Sequence, residues 1–177
     1  MRRPLISLVG LPGSGKSTVG RQLARRLQLS FADSDRVIED RIGCSIREYF
    51  EREGEARFRD VEQEVIEALT QSSGGVIATG GGAVLRAENR LALHGRSTVV
   101  YLRALPETLL KRVSHDTRRP LLQVGDPLSR LRELYVRRDP LYIETAHFVI
   151  ETGRPSVPAL VNTVLTKLHK AGEIPAA

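Results

Sequence analysis

The chain of 177 residues is poor in the side chains that most directly announce certain functions. It has one cysteine, Cys44, so no internal disulfide can form, and no His/Cys cluster has the spacing of a zinc site. A small packing role is expected of Cys44, because no base and orienting group stand near it in sequence. Tryptophan is absent and the chain holds only four Phe and four Tyr. Nothing therefore interleaves aromatic and basic residues in the way that stacks nucleic-acid bases, and no nucleic-acid partner is expected. No apolar run is long enough for a membrane span or signal peptide, since Leu5 to Val9 is followed at once by glycines. A cytoplasmic protein with no membrane partner is the expectation. Lysine is scarce, standing only at 16, 111, 167 and 170, so nearly all of the 27 basic side chains are arginine. The formal charge of +6 can reflect a basic surface, nucleic acid or small anions. Small anions fit best, given the missing aromatics.

Against these absences stands Gly10-Leu11-Pro12-Gly13-Ser14-Gly15-Lys16-Ser17, a complete G-x-x-x-x-G-K-[ST] motif. It lies between an apolar run, Leu5 to Val9, and an amphipathic stretch with Val19, Leu23, Ala24 and Leu27 at helical spacing. A Gly-rich turn could precede a helix by chance, but strand, turn and helix in this order favour a nucleoside-triphosphate site. Backbone N–H groups and the helix N-terminus would cradle phosphates. Lys16 would reach the β- and γ-phosphates, and the Ser17 hydroxyl would ligate Mg²⁺.

Strand and helix signals alternate along the chain without a linker, repeat or low-complexity tract, the pattern of an α/β domain with a parallel sheet. Further strands are expected at Ser30 to Ala32, Val76 to Ala78, Thr98 to Leu102 and Phe148 to Ile150. Helices are expected around 58–69 and 160–168, the second with Ser156 as N-cap and Pro158 in its first turn. Two segments break the pattern: Asp33 to Glu55, charged and without a strand, and Ser114 to Leu128, rich in Arg, Pro and Gly. Insertions beyond the carboxyl ends of strands are where substrate sites and lids lie in such domains.

A P-loop fold needs a carboxylate near Mg²⁺, yet Val76 to Ala78 runs into Thr79-Gly80-Gly81-Gly82 with no acid. The nearest candidates are Asp33 and Asp35. One could help to hold the metal through water and the other face an acceptor hydroxyl, while one residue of Asp33-Ser34-Asp35 is also expected to cap a helix. The three glycines read as a close approach of backbone to a ligand, with N–H groups free to bind an anion or a hydroxyl.

Six motifs in order carry a resemblance over nearly the whole chain: the Gly10 to Gly20 loop and helix start, Asp33-Ser34-Asp35, Gly54-Glu55-Ala56-Arg57-Phe58-Arg59, Ala78-Thr79-Gly80-Gly81-Gly82, Arg119-Pro120-Leu121-Leu122 and Arg138-Asp139-Pro140-Leu141-Tyr142. Together they resemble the shikimate kinases. The resemblance implies a monomeric α/β/α kinase domain spanning 1–177, with a five-stranded parallel sheet in order 2-3-1-4-5, a helical acceptor-binding segment at 33–61 and a lid at about 112–126. It implies ATP- and Mg²⁺-dependent phosphorylation of the shikimate 3-hydroxyl, a step toward chorismate and the aromatic amino acids.

By the same resemblance, Asp35 binds ring hydroxyls and assists deprotonation, Asp33 lies near Mg²⁺ through water, and Ser17 ligates the metal. Arg59, oriented by Glu62, and Arg138 hold the shikimate carboxylate above Gly80, Gly81 and Gly82. Gly13, Ser14, Gly15, Lys16, Ser17 and Thr18 hold the ATP phosphates, joined by the lid's Arg119. Arg112 stacks on adenine opposite the loop Gly153-Arg154-Pro155. Arg118 carries no assignment, and His94 and His115 are expected on solvated loops. Planar guanidinium forks suit a carboxylated acceptor, although Arg59 taken alone would read as a surface charge. A related kinase for a sugar acid or nucleotide, and a nucleotide-sensing domain without catalysis, are the alternatives.

Overall fold

Leu5–Val9 (β1) is buried at every position, and its side chains alternate between two apolar layers. Ile6 and Leu8 face a cluster with Val19 and Leu23 of Lys16–Leu27 (α1) and Leu160, Val164 and Leu168 of Val157–Lys170 (α8). Val9 faces the opposite layer. A strand covered on both faces sits at the centre of a sheet, and β1 does. The order is β2-β3-β1-β4-β5, all parallel, with Phe31–Asp33 (β2), Gly75–Ala78 (β3), Thr98–Arg103 (β4) and Phe148–Glu151 (β5). This is the expected topology. The computed structural model describes residues 2–113, 125–153 and 155–175. The expected Arg118, Arg119, Arg154 and His115 and most of the expected lid lie outside the described residues.

Each expected strand is present, four of them with shifted or extended ends. β2 begins one residue later than expected, because Ser30 lies outside it and only its carbonyl is used, accepting from Val76 N. The segment from Asp33 to Glu55 is helical, as the resemblance implies: it forms Ser34–Ile42 (α2) and Ile46–Glu53 (α3), which pack on Glu55–Leu69 (α4) through Ile38, Phe58 and Val65. On the second face lie Ala87–Arg96 (α5), Pro106–Val113 (α6) and Pro127–Thr145 (α7), around Leu93, Tyr101, Leu109, Leu131 and Tyr142. Ser156 caps α8 by accepting from Ala159 N at 3.3 Å, with Pro158 in the first turn, as expected. His94 is not on a loop. It is exposed on α5 and stacks on His147, ring centroids 4.1 Å apart, while its Nδ1 lies 3.0 Å from the Thr145 carbonyl. Among the described residues no helix is long and apolar enough to cross a membrane.

Crossover helices α1 and α2 leave the carboxyl ends of β1 and β2, where their first turns meet the end of β3. The close seat of α1 depends on Gly20, where an added methyl would stand 2.7 Å from Phe31 Cε2 and 3.3 Å from Leu8 Cδ1. Gly20→Val is therefore expected to lower stability by roughly 1–3 kcal/mol through overpacking. A urea denaturation curve checks this, and an unchanged midpoint would contradict the close seat.

Candidate active site

The loop after β1 bends through Gly13 (φ 84°) and Gly15 (φ 95°), and Gly15 occupies the N-cap position of α1. These left-handed conformations strain any other L residue and aim successive backbone N–H groups into one concavity. Lys16 is buried and folds back over the loop, its Nζ donating to the carbonyls of Gly10 (2.6 Å) and Leu11 (3.0 Å). Ser14 Oγ is buried and has no hydrogen-bond partner among the described residues. At the side of the loop, Arg112 donates to the Thr152 carbonyl and reaches the Gly13 carbonyl at 3.4 Å, so the guanidinium bridges the loop and the end of β5.

Asp33 carries two tasks at once. Its Oδ2 accepts from Ser17 Oγ at 2.6 Å, and its Oδ1 caps α2 by accepting from Asp35 N at 3.0 Å. The cap and the metal-side reading thus fall on one residue, not on different members of the Asp-Ser-Asp run. Ser34, fully buried, takes a third part, accepting from Gly80 N at 3.0 Å. This corrects one expectation, because the N–H of Gly80 is occupied and not free for a ligand. Lys16, Ser17, Thr18, Asp33, Asp35, Gly80, Gly81 and Arg112 line one cleft of about 300 Å³.

The glycine turn explains itself by what lies on it. A methyl on Gly80 would collide with the Asp35 carboxylate, and one on Gly82 with the Arg59 guanidinium. One on Gly81 would stand 2.8 Å from Pro12 Cδ and 3.3 Å from Arg138 Nη1. Asp35, Arg138 and Arg59 come from α2, α7 and α4, and each rests on a different glycine. Residues spread over more than a hundred positions thereby share one floor.

Arg59 Nη1 donates to Glu62 at 2.8 Å, and Glu62 is 1 % exposed. Burial raises the Glu62 pKa, with the Arg59 and Arg138 charges opposing the rise. Arg59 Nη2 reaches Glu55 at 3.5 Å, while Nε is buried and has no hydrogen-bond partner among the described residues. An orphan donor on a guanidinium beside the floor is what a bound anion would satisfy. Burial pushes the Asp35 carboxyl up to about 6, helped by the charges of Asp33, Glu62 and Glu39 and opposed by Lys16. Two polar residues escaped the sequence analysis as site members, Ser34 and Tyr142. Tyr142 is fully buried, and its hydroxyl donates to the Gly81 carbonyl at 2.5 Å. The usable signal was its spacing, four residues after Arg138 on the same helix face.

A shikimate kinase family model matches residues 12–169. The chain is 60 % identical to a shikimate kinase of Paracidovorax citrulli, covering 97 % of each chain, and 58 % identical to one of Ralstonia nicotianae, covering 94 % and 88 %. Among solved structures, a shikimate kinase of Acinetobacter baumannii in complex with shikimate superposes with a TM-score of 0.91 at 45 % identity, over 96 % and 94 % of the two chains.

Removing Arg59 leaves the Glu62 carboxylate buried beside less counter-charge. Arg59→Ala is expected to cost about 3 kcal/mol of stability near neutral pH. The loss should shrink at mildly acidic pH, because a carboxyl whose folded pKa lies above its unfolded value gains stability on taking up its proton. Urea curves at both pH values check this, and Arg59→Ala/Glu62→Gln should recover most of the loss.

Proposed function

The chain belongs to the shikimate kinase family, and from that premise we propose which residues carry each part of ATP-dependent shikimate phosphorylation. The observation that carries this reading is that Asp35 lines the same cleft as Lys16 and Ser17. Donor and acceptor groups thus meet across one point of attack.

The phosphates of ATP lie along the loop N–H groups of Gly13, Ser14 and Gly15, with Thr18 in the first turn of α1. Lys16 exchanges the Gly10 and Leu11 carbonyls for β- and γ-phosphate oxygens. Arg112 and Arg154 flank the adenine, and Arg119, within the lid at about 112–126, reaches the transferred group. Arginine positioned in this way stabilises charge spreading over the phosphoryl oxygens. Ser17 Oγ and Asp33 Oδ2, 2.6 Å apart, are hard oxygen donors of the kind Mg²⁺ takes alongside water and substrate phosphates. Ser17 would hold the ion directly and Asp33 through water, and when bound it would neutralise charge on the β- and γ-phosphates.

On the acceptor side, Arg59 and Arg138 grip the shikimate carboxylate, and the backbone of Gly80, Gly81 and Gly82 forms the floor beneath the ring. Asp35 orients the 3-hydroxyl and accepts its proton as the oxygen bonds to the γ-phosphorus. The bond from that phosphorus to the β,γ-bridging oxygen breaks, and ADP leaves. Such transfer relies chiefly on positioning and electrostatics, so Asp35 needs only to be ionised and well placed. All assigned side chains come from one chain, and a monomer suffices.

A coupled assay of ADP release with shikimate, quinate and gluconate as separate acceptors tests the reading. Turnover should require shikimate, and kcat/KM should fall as pH drops through about 6, where Asp35 takes its proton. Asp35→Asn should cut turnover by about a hundredfold or more while ADP binding persists. Turnover with another acceptor alone, or a profile flat down to about pH 5, would contradict it.

A further inference from the structure

Tyr142 is fully buried on the second face of the sheet, in a cluster of apolar side chains where Phe would pack as well. Its ring lies against Tyr101, centroids 4.8 Å apart, and Tyr101 is tied in turn to Asp139 by a hydrogen bond of 2.7 Å. A hydroxyl in such surroundings is costly unless bonded, so its presence calls for a polar task. It donates to the Gly81 carbonyl at 2.5 Å. Arg138 Nη1 lies 3.3 Å from where a methyl on Gly81 would stand, and the Arg59 guanidinium crowds the next glycine, Gly82. The hydroxyl therefore holds the turn on which the acceptor arginines converge.

Gly81 is the point where the two halves of the site touch, since Pro12 of the phosphate loop and Arg138 both crowd the space where a side chain on it would stand. The position of its peptide sets how far the arginine stands from the floor. We infer that Tyr142 is a positioning residue for acceptor recognition: its hydroxyl holds the Gly81 carbonyl, fixing the peptide against which the Arg138 fork rests to receive the acceptor carboxylate. The inference rests on the acceptor role proposed above for Arg138. Tyr142 touches neither substrate in this arrangement. It acts through Gly81 and Arg138.

Tyr142→Phe keeps the ring and its stack on Tyr101 and removes only the hydrogen bond to Gly81. The shikimate KM should rise about tenfold, the effect expected of leaving one buried carbonyl without its donor, while the ATP KM and kcat stay within about twofold. In an Arg138→Ala background the same substitution should add little to the shikimate KM, because the fork it positions is gone. An unchanged shikimate KM in Tyr142→Phe overturns the inference. So does a parallel rise in both KM values, or a full additive effect without Arg138, either of which marks a merely structural role. Failure of the acceptor reading would look different: the parent protein would release no ADP with shikimate, or Arg138→Ala would leave the shikimate KM unaltered.

Discussion

Three ionised side chains from three helices press against a turn that has no side chains of its own. Asp35, Arg138 and Arg59 rest on Gly80, Gly81 and Gly82 in turn, and every other part of the site is arranged to permit that contact. The turn needs a rigid base, which β3 provides by pairing with β1 and β2 in the buried half of the sheet. It needs a fixed start, and the Ser34 hydroxyl holds it by accepting from Gly80 N. It also needs the helices to arrive at the right height. Tyr101 and Arg103 of β4 anchor α7 through Asp139, beside Arg138, at 2.7 and 3.0 Å.

Charge is interleaved around this floor, and the two buried carboxylates each stand near a cation. Glu62 is buried against Arg59, and Asp35 faces Lys16 across the cleft. The balance is incomplete at Asp35, where burial and the neighbouring acids outweigh Lys16 and hold its pKa near 6. A carboxyl poised there suits a group that must accept a proton at neutral pH without being strongly basic. The same crowding explains the double use of Asp33. With one oxygen on Ser17 and the other capping α2, it couples the helix that follows the phosphate loop to the helix that presents Asp35.

The phosphate loop and β1 were legible in the sequence because local rules determine them: glycines for positive φ, then a helix whose apolar residues recur at the right spacing. The topology and the gathering of Asp35, Arg59 and Arg138 at one turn were legible only as a resemblance, since no local pattern says which glycine will meet which arginine. Arg59 shows why. On its helix it looks like a solvated charge, and only the tertiary burial of Glu62 turns it inward. Helices α2 and α3 were legible only through the resemblance and the cap expected at Asp33-Ser34-Asp35, because they are short and heavily charged, with few apolar residues to set a period. α7 was missed because Pro140 interrupts it and arginines are scattered among its apolar positions. The double duty of Asp33 and the hydrogen bond from Tyr142 to Gly81 depend on chain segments distant in sequence, which no spacing rule can join.

The central claim is that the acceptor site exists because the turn after β3 lacks side chains. Titration calorimetry of Gly82→Ala with shikimate and, separately, with ADP tests it most directly. A single methyl, placed where the Arg59 guanidinium lies, should abolish measurable shikimate binding while leaving ADP affinity within about twofold of the parent, since the phosphate loop does not touch it. Shikimate affinity equal to the parent's in a folded Gly82→Ala protein would contradict the account.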